Sequence, residues 1–580
     1  MQTAVQTLIT STCLAAGTAW LLVSGAPAHG DSLSRDWPYV GQDLSNHGNQ
    51  RSERQITTDN AAELAESWRF SVATGPGGVG ISGQPTIGDG VIYFADASGV
   101  VSALDAKSGA PIWQTPIPEA QFVTSPTITR DFLYIAESED LAELTLTAPG
   151  RIFCLDRKDG AIVWEASLDS SELGSVIPEI PVSFLAYGGD TAVIDQRVIV
   201  GVASIENALA PGDNTFRGSV VAFNRFTGAE LWRLYTTDDQ ASPMPEFGAG
   251  GGVWSSPAID RKRKLLFIGT GQAYECPPQF TDCPPSEFEP GTLAGPLTDS
   301  LLAIDYRNGE LIWHKQFTQD DVWGANTGLI GRDFDVGTHP NLFSALAWLP
   351  GDVGPRRHDL VGVGDKSGHY YILKRDRDRG PASEDVQVLA TLQLEPGGSL
   401  GAILSTAAYD AGVLYIASHA KIVEGRREAG EISDILSLPA PPAADFSTKI
   451  VAIDVRKLLE GDAADEYTLW SVEENPDELE GPAQIPGLTT APLTIANGVL
   501  YHASSTGYFR GLDAATGVEI FRRTPLEFER ADLGGTVAVP ILAGVTIVDG
   551  QVFVAPGTSQ FALADDQPSA VVAYGLPEGM

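Results

Sequence analysis

Positive charge is what this sequence has least of. It carries 37 Lys and Arg against 75 Asp and Glu, giving a formal net charge of −38 and a pI near 4.4. Such a surface repels nucleic acid and anionic lipid over a Debye length, so neither is an expected partner. The four cysteines form no CxxCH, which argues against a covalently attached c-type haem, and the eight histidines form no HxxxH or HxH pair, so a zinc site is not supported. Beyond the N-terminus no segment is apolar for long enough to span a bilayer. The glycine run GAGGG at Gly248–Gly252 precedes a strand instead of opening a helix between strands, so it is not a dinucleotide-binding turn.

What is present points to an exported all-β chain. The first residues are apolar and end in Ala26-Pro27-Ala28, the small-x-small pattern of signal-peptidase cleavage. We expect residues 1–28 to be a signal peptide, residues 29–580 to form one propeller domain, and the mature protein to be periplasmic or secreted. Cys154, in the strand-like RIFCLD, reads as a buried thiol, and Cys276 and Cys283, seven apart in a proline-rich loop, are expected to pair.

One theme recurs eight times: an apolar strand, a loop, a second strand ending in Ala/Leu-x-Asp, a Gly-containing turn and an aromatic residue. The first copy is VIYFADASGVVSALDAKSGAPIW, closing at Trp113, and later copies close at Trp164, Trp232, Trp313 and Trp470, with Phe521 in the tryptophan's place in the seventh. Period-two alternation, Val/Ile/Leu/Tyr enrichment and Gly/Asp/Asn punctuation are strand and hairpin chemistry. Four-stranded units that cannot bury both faces alone must stack, and stacking around an axis predicts an eight-bladed β-propeller. At roughly 69 residues per repeat the units exceed the ~40–45 of a WD40 blade, so the surplus lies in loops. The closing tryptophans are expected to pack between blades. Trp68, in ESWRFSV ahead of the first copy, is expected to bring the strand that completes the last blade and closes the ring.

These tandem Ala-x-Asp-x-x-x-Gly-x-x-x-Trp repeats resemble the quinoprotein alcohol dehydrogenases, whose propeller carries pyrroloquinoline quinone (PQQ) on its axis. The segments IENA, NTFRGSVVAFNRFTGAELW, GGGVWSSPAID, FIGTGQAY, DSLLAID, DDVW and GRDFDVG are most similar to the polyvinyl-alcohol dehydrogenase branch. A planar anionic quinone needs an apolar floor, cations for its carboxylates, a divalent ion to polarise the accepting carbonyl, and a base for the alcohol proton.

The resemblance assigns these roles residue by residue. Trp254 stands at the floor position, eighteen residues before Gln272, which ends FIGTGQ where relatives have a calcium-ligating Asn. Glu206, five residues past a strand glycine, matches the metal-binding glutamate, an oxygen donor of the kind Ca²⁺ takes. Lys366 in GDKSGHYY and Arg130 in SPTITRDFLYI match cations that reach the quinone. The aspartate that relatives carry directly after the tryptophan of DEWD-like motifs is Gly324 here, so Asp321 is the candidate base and Glu206 the fallback. The vicinal cysteines of many members are absent, with Thr124-Ser125 and Asp213-Asn214 at the two positions, and Leu404-Ser405 replaces an acidic residue and a tryptophan.

The reading that follows is an exported, PQQ- and Ca²⁺-dependent dehydrogenase of secondary alcohols, including polyvinyl alcohol or its oligomers, that passes electrons to a separate cytochrome c. The alternatives are a non-catalytic protein-binding propeller similar to the assembly factor BamB, and a sugar or aldehyde dehydrogenase on the same frame.

Overall fold

The computed structural model describes residues 35–74, 80–137, 150–168, 191–204, 216–237, 249–274, 295, 297–324, 331–377, 386–423, 426–429, 431, 446–474, 487–530, 535–557 and 567–577. Residues 1–28, Glu206, Asp213-Asn214, Cys276 and Cys283 lie outside these ranges. Cys154 is a free thiol with no exposure.

Eight antiparallel sheets follow one another along the chain, as the repeats predicted. Each has four strands, paired in sequence order in the first seven, and the sixth gains a short fifth strand, Arg426–Glu428. The innermost strands are Thr86–Gly88, Thr127–Ile128, Ala192–Ile194, Ala258–Asp260, Asn341–Ala347, Ala408–Asp410, Thr494–Ala496 and Thr546–Val548. Strands sandwiched between neighbouring blades, such as Val91–Ala95, are buried along most of their length. Outer strands such as Pro111–Pro116 alternate towards solvent. The eighth blade takes its outer strand, Ala65–Val72, from the beginning of the described chain: it pairs antiparallel with Ser569–Gly575, so Trp68 does sit on the closing strand. Pairing the two ends of the ring removes the one junction that would otherwise expose sheet edges.

The closing tryptophans lock each blade to the next. The indole N–H of Trp68, Trp113, Trp164, Trp232, Trp313 and Trp470 donates to the carbonyls of Ala106, Arg157, Arg225, Tyr306, Asp376 and Ala514, at 2.8–3.1 Å. The six-membered ring lies on the turn glycine of the next blade. A Cβ at Gly109, Gly160, Gly228, Gly309 or Gly517 would come within 2.5–2.7 Å of it, and each glycine has φ between +70° and +77°. The repeat's Gly and Trp are therefore two halves of one contact, and only glycine meets both demands. Two junctions differ. Blade five has no closing tryptophan, and the helix Val455–Glu460 of blade six packs Leu458 and Leu459 into the cluster that contains Leu392. At blade seven, Phe521 packs edge-on against Phe509 in a cluster that includes Val572 and Tyr574 of blade eight.

Innermost strands leave backbone groups unpaired along the axis, and the segment from Trp37 to Gln50 meets them. Trp37 exchanges backbone hydrogen bonds with Ile87, and the carbonyl of Pro38 accepts from Ile128 N–H. The Tyr39 hydroxyl reaches Val193 O at 3.5 Å. The carbonyls of Leu44, Ser45 and His47 accept from Ile259, Leu342 and Tyr409, Gly48 and Gln50 bracket Ile495, and the Gln50 amide donates to Ile547 O. Fourteen residues thus touch the innermost strand of every blade, with left-handed turns at Gln42, Asn46 and Gly48 winding them round the shaft.

Gly309→Ala should lower the urea midpoint more than Trp232→Phe. The first forces a strained φ and a clash, whereas the second keeps most of the ring and loses one hydrogen bond worth ~1 kcal/mol. Trp232→Ala should cost ~3–5 kcal/mol. Equal midpoints for all three variants would contradict the docking of ring on glycine.

Candidate functional site

Each innermost strand starts at one end of the ring and runs to the turn that leads into the second strand. The loops entering the inner strands and those leaving the second strands therefore share one end, and four of them converge between blades four and five. The first is the glycine run before Ala258–Asp260. Gly251 N–H donates to Gln272 O and Gly271 N–H to Gly252 O, both at 2.8 Å, so Gly250, Gly251 and Gly252 lie against Gly271, Gln272 and Ala273. Gly250, at φ +122°, has the Gln272–Tyr274 backbone where a Cβ would be, so the two segments meet only because a side chain is missing. This pairing fixes the backbone of Gln272 and leads the chain into Trp254. The half-buried indole rests on Gly337, whose Cβ would overlap the six-membered ring.

The loop from Asp321 to Gly337 follows the outer strand of blade four. Asp321 is fully buried, and its carboxylate accepts from three successive backbone N–H groups: Arg332 at 2.8 Å, Asp333 at 3.1 Å and Phe334 at 2.8 Å. Fixed there, the backbone turns Asp333 and Asp335 inward while Arg332 faces solvent. The Lys366 ammonium, on the turn after the second strand of blade five, bridges Asp333 at 2.9 Å and Asp335 at 2.7 Å and lies 5.9 Å from the Trp254 ring centre. The other Asp335 oxygen accepts from Gln272 N–H at 2.9 Å. The side-chain amide of Gln272, only 4% exposed, makes no hydrogen bond among the described residues.

Behind this group lies Asp299, at the start of strand Ser300–Asp305. It is fully buried, at φ +47°, with neither carboxylate oxygen hydrogen-bonded. Burial first, then the nearby carboxylates of Asp321, Asp335, Asp333 and Asp365, hold it well above the ordinary aspartate range. Burial likewise raises Asp321 in spite of its three hydrogen bonds. Asp333 is raised too: its burial and the neighbouring Asp335 outweigh the pull of Lys366. Lys366 is also raised, because its two carboxylates outweigh desolvation. A raised Asp333 favours the neutral acid and a raised Lys366 favours the ammonium. The two short contacts decide for the ammonium. Asp365 is pushed to about 7 by burial, against hydrogen bonds from Ser367, His369 and Tyr371.

Trp254, Gln272 and Lys366, chosen from the sequence, are thus brought together. Two other choices need correction. Arg130 sits in the turn between Thr127–Ile128 and Phe132–Ala136, at the opposite end of the ring, with its side chain 84% exposed, and cannot reach this site. Asp321 is spent on three backbone amides with no exposure and serves as a pedestal instead of a base. Asp335 and Asp333 were missed. The signal was in GRDFDVG, where Asp335 directly follows an aromatic, the aromatic-Asp step sought at Trp323-Gly324. Opposite Lys366, Gly398 N–H donates to Lys366 O at 3.4 Å, Leu404 is fully buried, and Ser405 donates to Ala491 O.

The chain matches the family model described as PQQ: Glucose/ethanol/alcohol dehydrogenase, beta-propeller domain, over residues 37–381. It is similar to the polyvinylalcohol dehydrogenase of Sphingopyxis sp. (strain 113P3), 27% identical over 539 residues that cover 88% of this chain and 71% of that protein. It is 24% identical to the polyvinylalcohol dehydrogenase of a Pseudomonas sp. over 526 residues, 87% of this chain and 70% of the relative. Among solved structures, quinohemoprotein alcohol dehydrogenase ADHIIG from Pseudomonas putida HK5 shares the fold, with a TM-score of 0.65 at 18% identity over 94% of this chain and 80% of that one.

Asp299 makes stability pH-dependent. A carboxyl whose folded pKa is raised binds a proton that the unfolded chain releases above ~3.9, so its contribution is greatest in acid and is lost as pH climbs towards the folded value. Asp299→Asn should therefore raise the urea midpoint at pH 7.5 relative to wild type, and the gap should shrink at pH 4.5. A loss of stability at pH 7.5 would mean that the charged carboxylate has a partner.

Proposed function

Because the chain belongs to the PQQ-type glucose/ethanol/alcohol dehydrogenase β-propeller family, we propose that it is an alcohol dehydrogenase whose quinone lies over Trp254 at the loop-rich end of the axis. The carrying observation is the convergence of Trp254, Gln272, Lys366 and Asp335. The residues suit the cofactor: the indole would give an apolar floor, the ammonium would supply a cation for an anionic quinone, and the Gln272 amide, unbonded among the described residues, would offer an oxygen to a hard cation such as Ca²⁺. Glu206 is the second donor on grounds of sequence.

PQQ held over Trp254 would supply the hydride acceptor for alcohol oxidation, and a cation held by Gln272 would supply Lewis acidity. The protein's own share is the proton. Asp335 holds one carboxylate oxygen on Gln272 N–H and the other on Lys366, and exchange of the lysine contact for the alcohol hydroxyl lets it take the proton. The glycine run, the Asp321 pedestal and Gly337 keep these groups in register, which is the part of catalysis that positioning supplies. Polyvinyl alcohol, named in the two relatives, points to secondary alcohols, including polymeric ones, as substrates. Export and re-oxidation by a separate cytochrome c complete the proposal.

Intrinsic tryptophan fluorescence should be quenched by PQQ with Ca²⁺, and chelation or Trp254→Ala should abolish the quenching. Asp335→Asn should leave quenching intact and lower kcat for secondary alcohols by ~10²–10⁴-fold, the usual worth of a general base. No binding at micromolar PQQ sinks the dehydrogenase reading in favour of a non-catalytic propeller.

A further inference from the structure

The innermost strand of blade five has seven residues, Asn341–Ala347, where those of the other blades have two or three. The surplus lies at the end of the ring away from Trp254. Ile259, Leu342 and Tyr409 mark one level, because their backbone N–H groups donate to the shaft carbonyls of Leu44, Ser45 and His47. Past that level the strands of blades four and six run one residue further, to Asp260 and Asp410, whereas that of blade five runs five, to Ala347. The four additional residues, at ~3.3 Å each, carry this hairpin about 13 Å beyond its neighbours.

Both faces of the extension are apolar. Ala345, Ala347 and Leu349 are buried in one cluster with Leu458 and Leu459 of the helix Val455–Glu460. The alternate residues Leu346 and Trp348, where period two calls for polar side chains, are each 58% exposed, and Val353 at the tip is wholly exposed. From Leu346 to Arg357 the one acidic residue is Asp352, and its carboxylate is engaged by Arg356 at 2.7 Å, His358 at 2.9 Å and the Leu349 N–H at 2.9 Å. Beside the hairpin a surface cavity of about 660 Å³ is lined by Leu346 and by Arg51, Arg357 and Arg456. Among the described residues none of these three guanidinium groups has an ion pair or a hydrogen bond. The two carboxylates in the cavity wall, Asp410 and Asp454, accept from the Asn49 amide and the Lys457 N–H. The other large hydrophobic side chains that stand exposed, such as Ile112, Val163, Phe226, Leu469 and Val518, also lie in or beside turns at this end, and among the described residues none lies at the end that holds Trp254.

An apolar tip flanked by unpaired cations suits a phospholipid surface: such side chains bury at the boundary of headgroups and acyl chains, tryptophan favours that layer, and guanidinium groups bind phosphate. A formal charge of −38 opposes the approach of the chain as a whole to an anionic surface. That repulsion is screened over ~8 Å at physiological ionic strength, less than the ~13 Å by which the tip leads the ring. We propose that the blade-five hairpin docks the protein on a phospholipid bilayer, with Leu346, Trp348 and Val353 in the headgroup layer and Arg51, Arg357 and Arg456 on its phosphates. The docking does not depend on the alcohol-oxidation reading. Combined with it, the docking turns the Trp254 end away from the bilayer, open to a polymeric substrate.

The test uses the full chain and vesicles of phosphatidylcholine and phosphatidylglycerol at roughly 3:1, with binding read by flotation in a density gradient. Wild type should float with the vesicles, and Val353→Glu and Trp348→Glu should each lower the partition coefficient about tenfold or more, the worth of one buried apolar side chain. Val353→Glu should keep the wild-type urea midpoint, so its loss is not one of folding. Arg51→Glu combined with Arg357→Glu should lower partition about tenfold or more, and ~0.5 M NaCl should weaken wild type in the same direction. Absence of wild-type flotation overturns the proposal. Flotation that Val353→Glu and Trp348→Glu leave unchanged places the contact elsewhere on the chain, the N-terminal apolar segment included, and overturns it too. Binding indifferent to both the arginine reversals and salt overturns the phosphate half. A wild type that ignores vesicles but sediments as a dimer dissociated by Val353→Glu would make a second copy the occupant and overturn the bilayer.

Discussion

Eight sheets arranged round an axis present eight inner strands whose outward-paired edge is satisfied and whose axial edge is not. Buried backbone N–H and C=O groups without partners are costly, so the shaft has to be filled by something that carries backbone of its own. The segment Trp37–Gln50 does this, touching every innermost strand in turn. The chain then runs outward to lay Ala65–Val72 on the last blade. One end of the chain thereby closes both the axis and the circumference, and the site is left at the end of the axis where the long loops gather.

The acidic residues at that end take distinct tasks because their surroundings differ. Asp321 is fixed by three amides and organises a loop. Asp335 keeps one oxygen on a backbone N–H and the other on an ammonium, the arrangement that leaves a carboxylate both oriented and exchangeable. Asp299 has no bonded partner for its carboxylate and stays a neutral acid over a wider pH range. Residue type alone would not separate these three; burial and the donors within reach do.

The propeller was legible because its repeat encodes a contact in two halves, the turn glycine and the closing tryptophan; the pair recurs at five junctions, and at six the ring donates to the next blade. Trp254, Gln272 and Lys366 were legible because each occupies a fixed place in a strand-turn motif. Asp335 was not, since it lies eleven residues beyond Gly324, and the resemblance directed the search for the base to the DDVW loop, at Asp321. Arg130 misled for a related reason. An arginine one residue from a strand gives no sign of which end of the blade it will occupy, and here it lies at the end away from the site.

The most direct measurement of the central claim is an experimental structure of the protein grown with PQQ and Ca²⁺. The geometry calls for quinone density stacked on the Trp254 indole, a cation contacting the Gln272 side-chain oxygen, and Asp335 within hydrogen-bond reach of the space above the ring. Quinone bound elsewhere on the ring, or an indole face covered by protein with no density above it, would contradict the assignment of this end of the axis as a cofactor site.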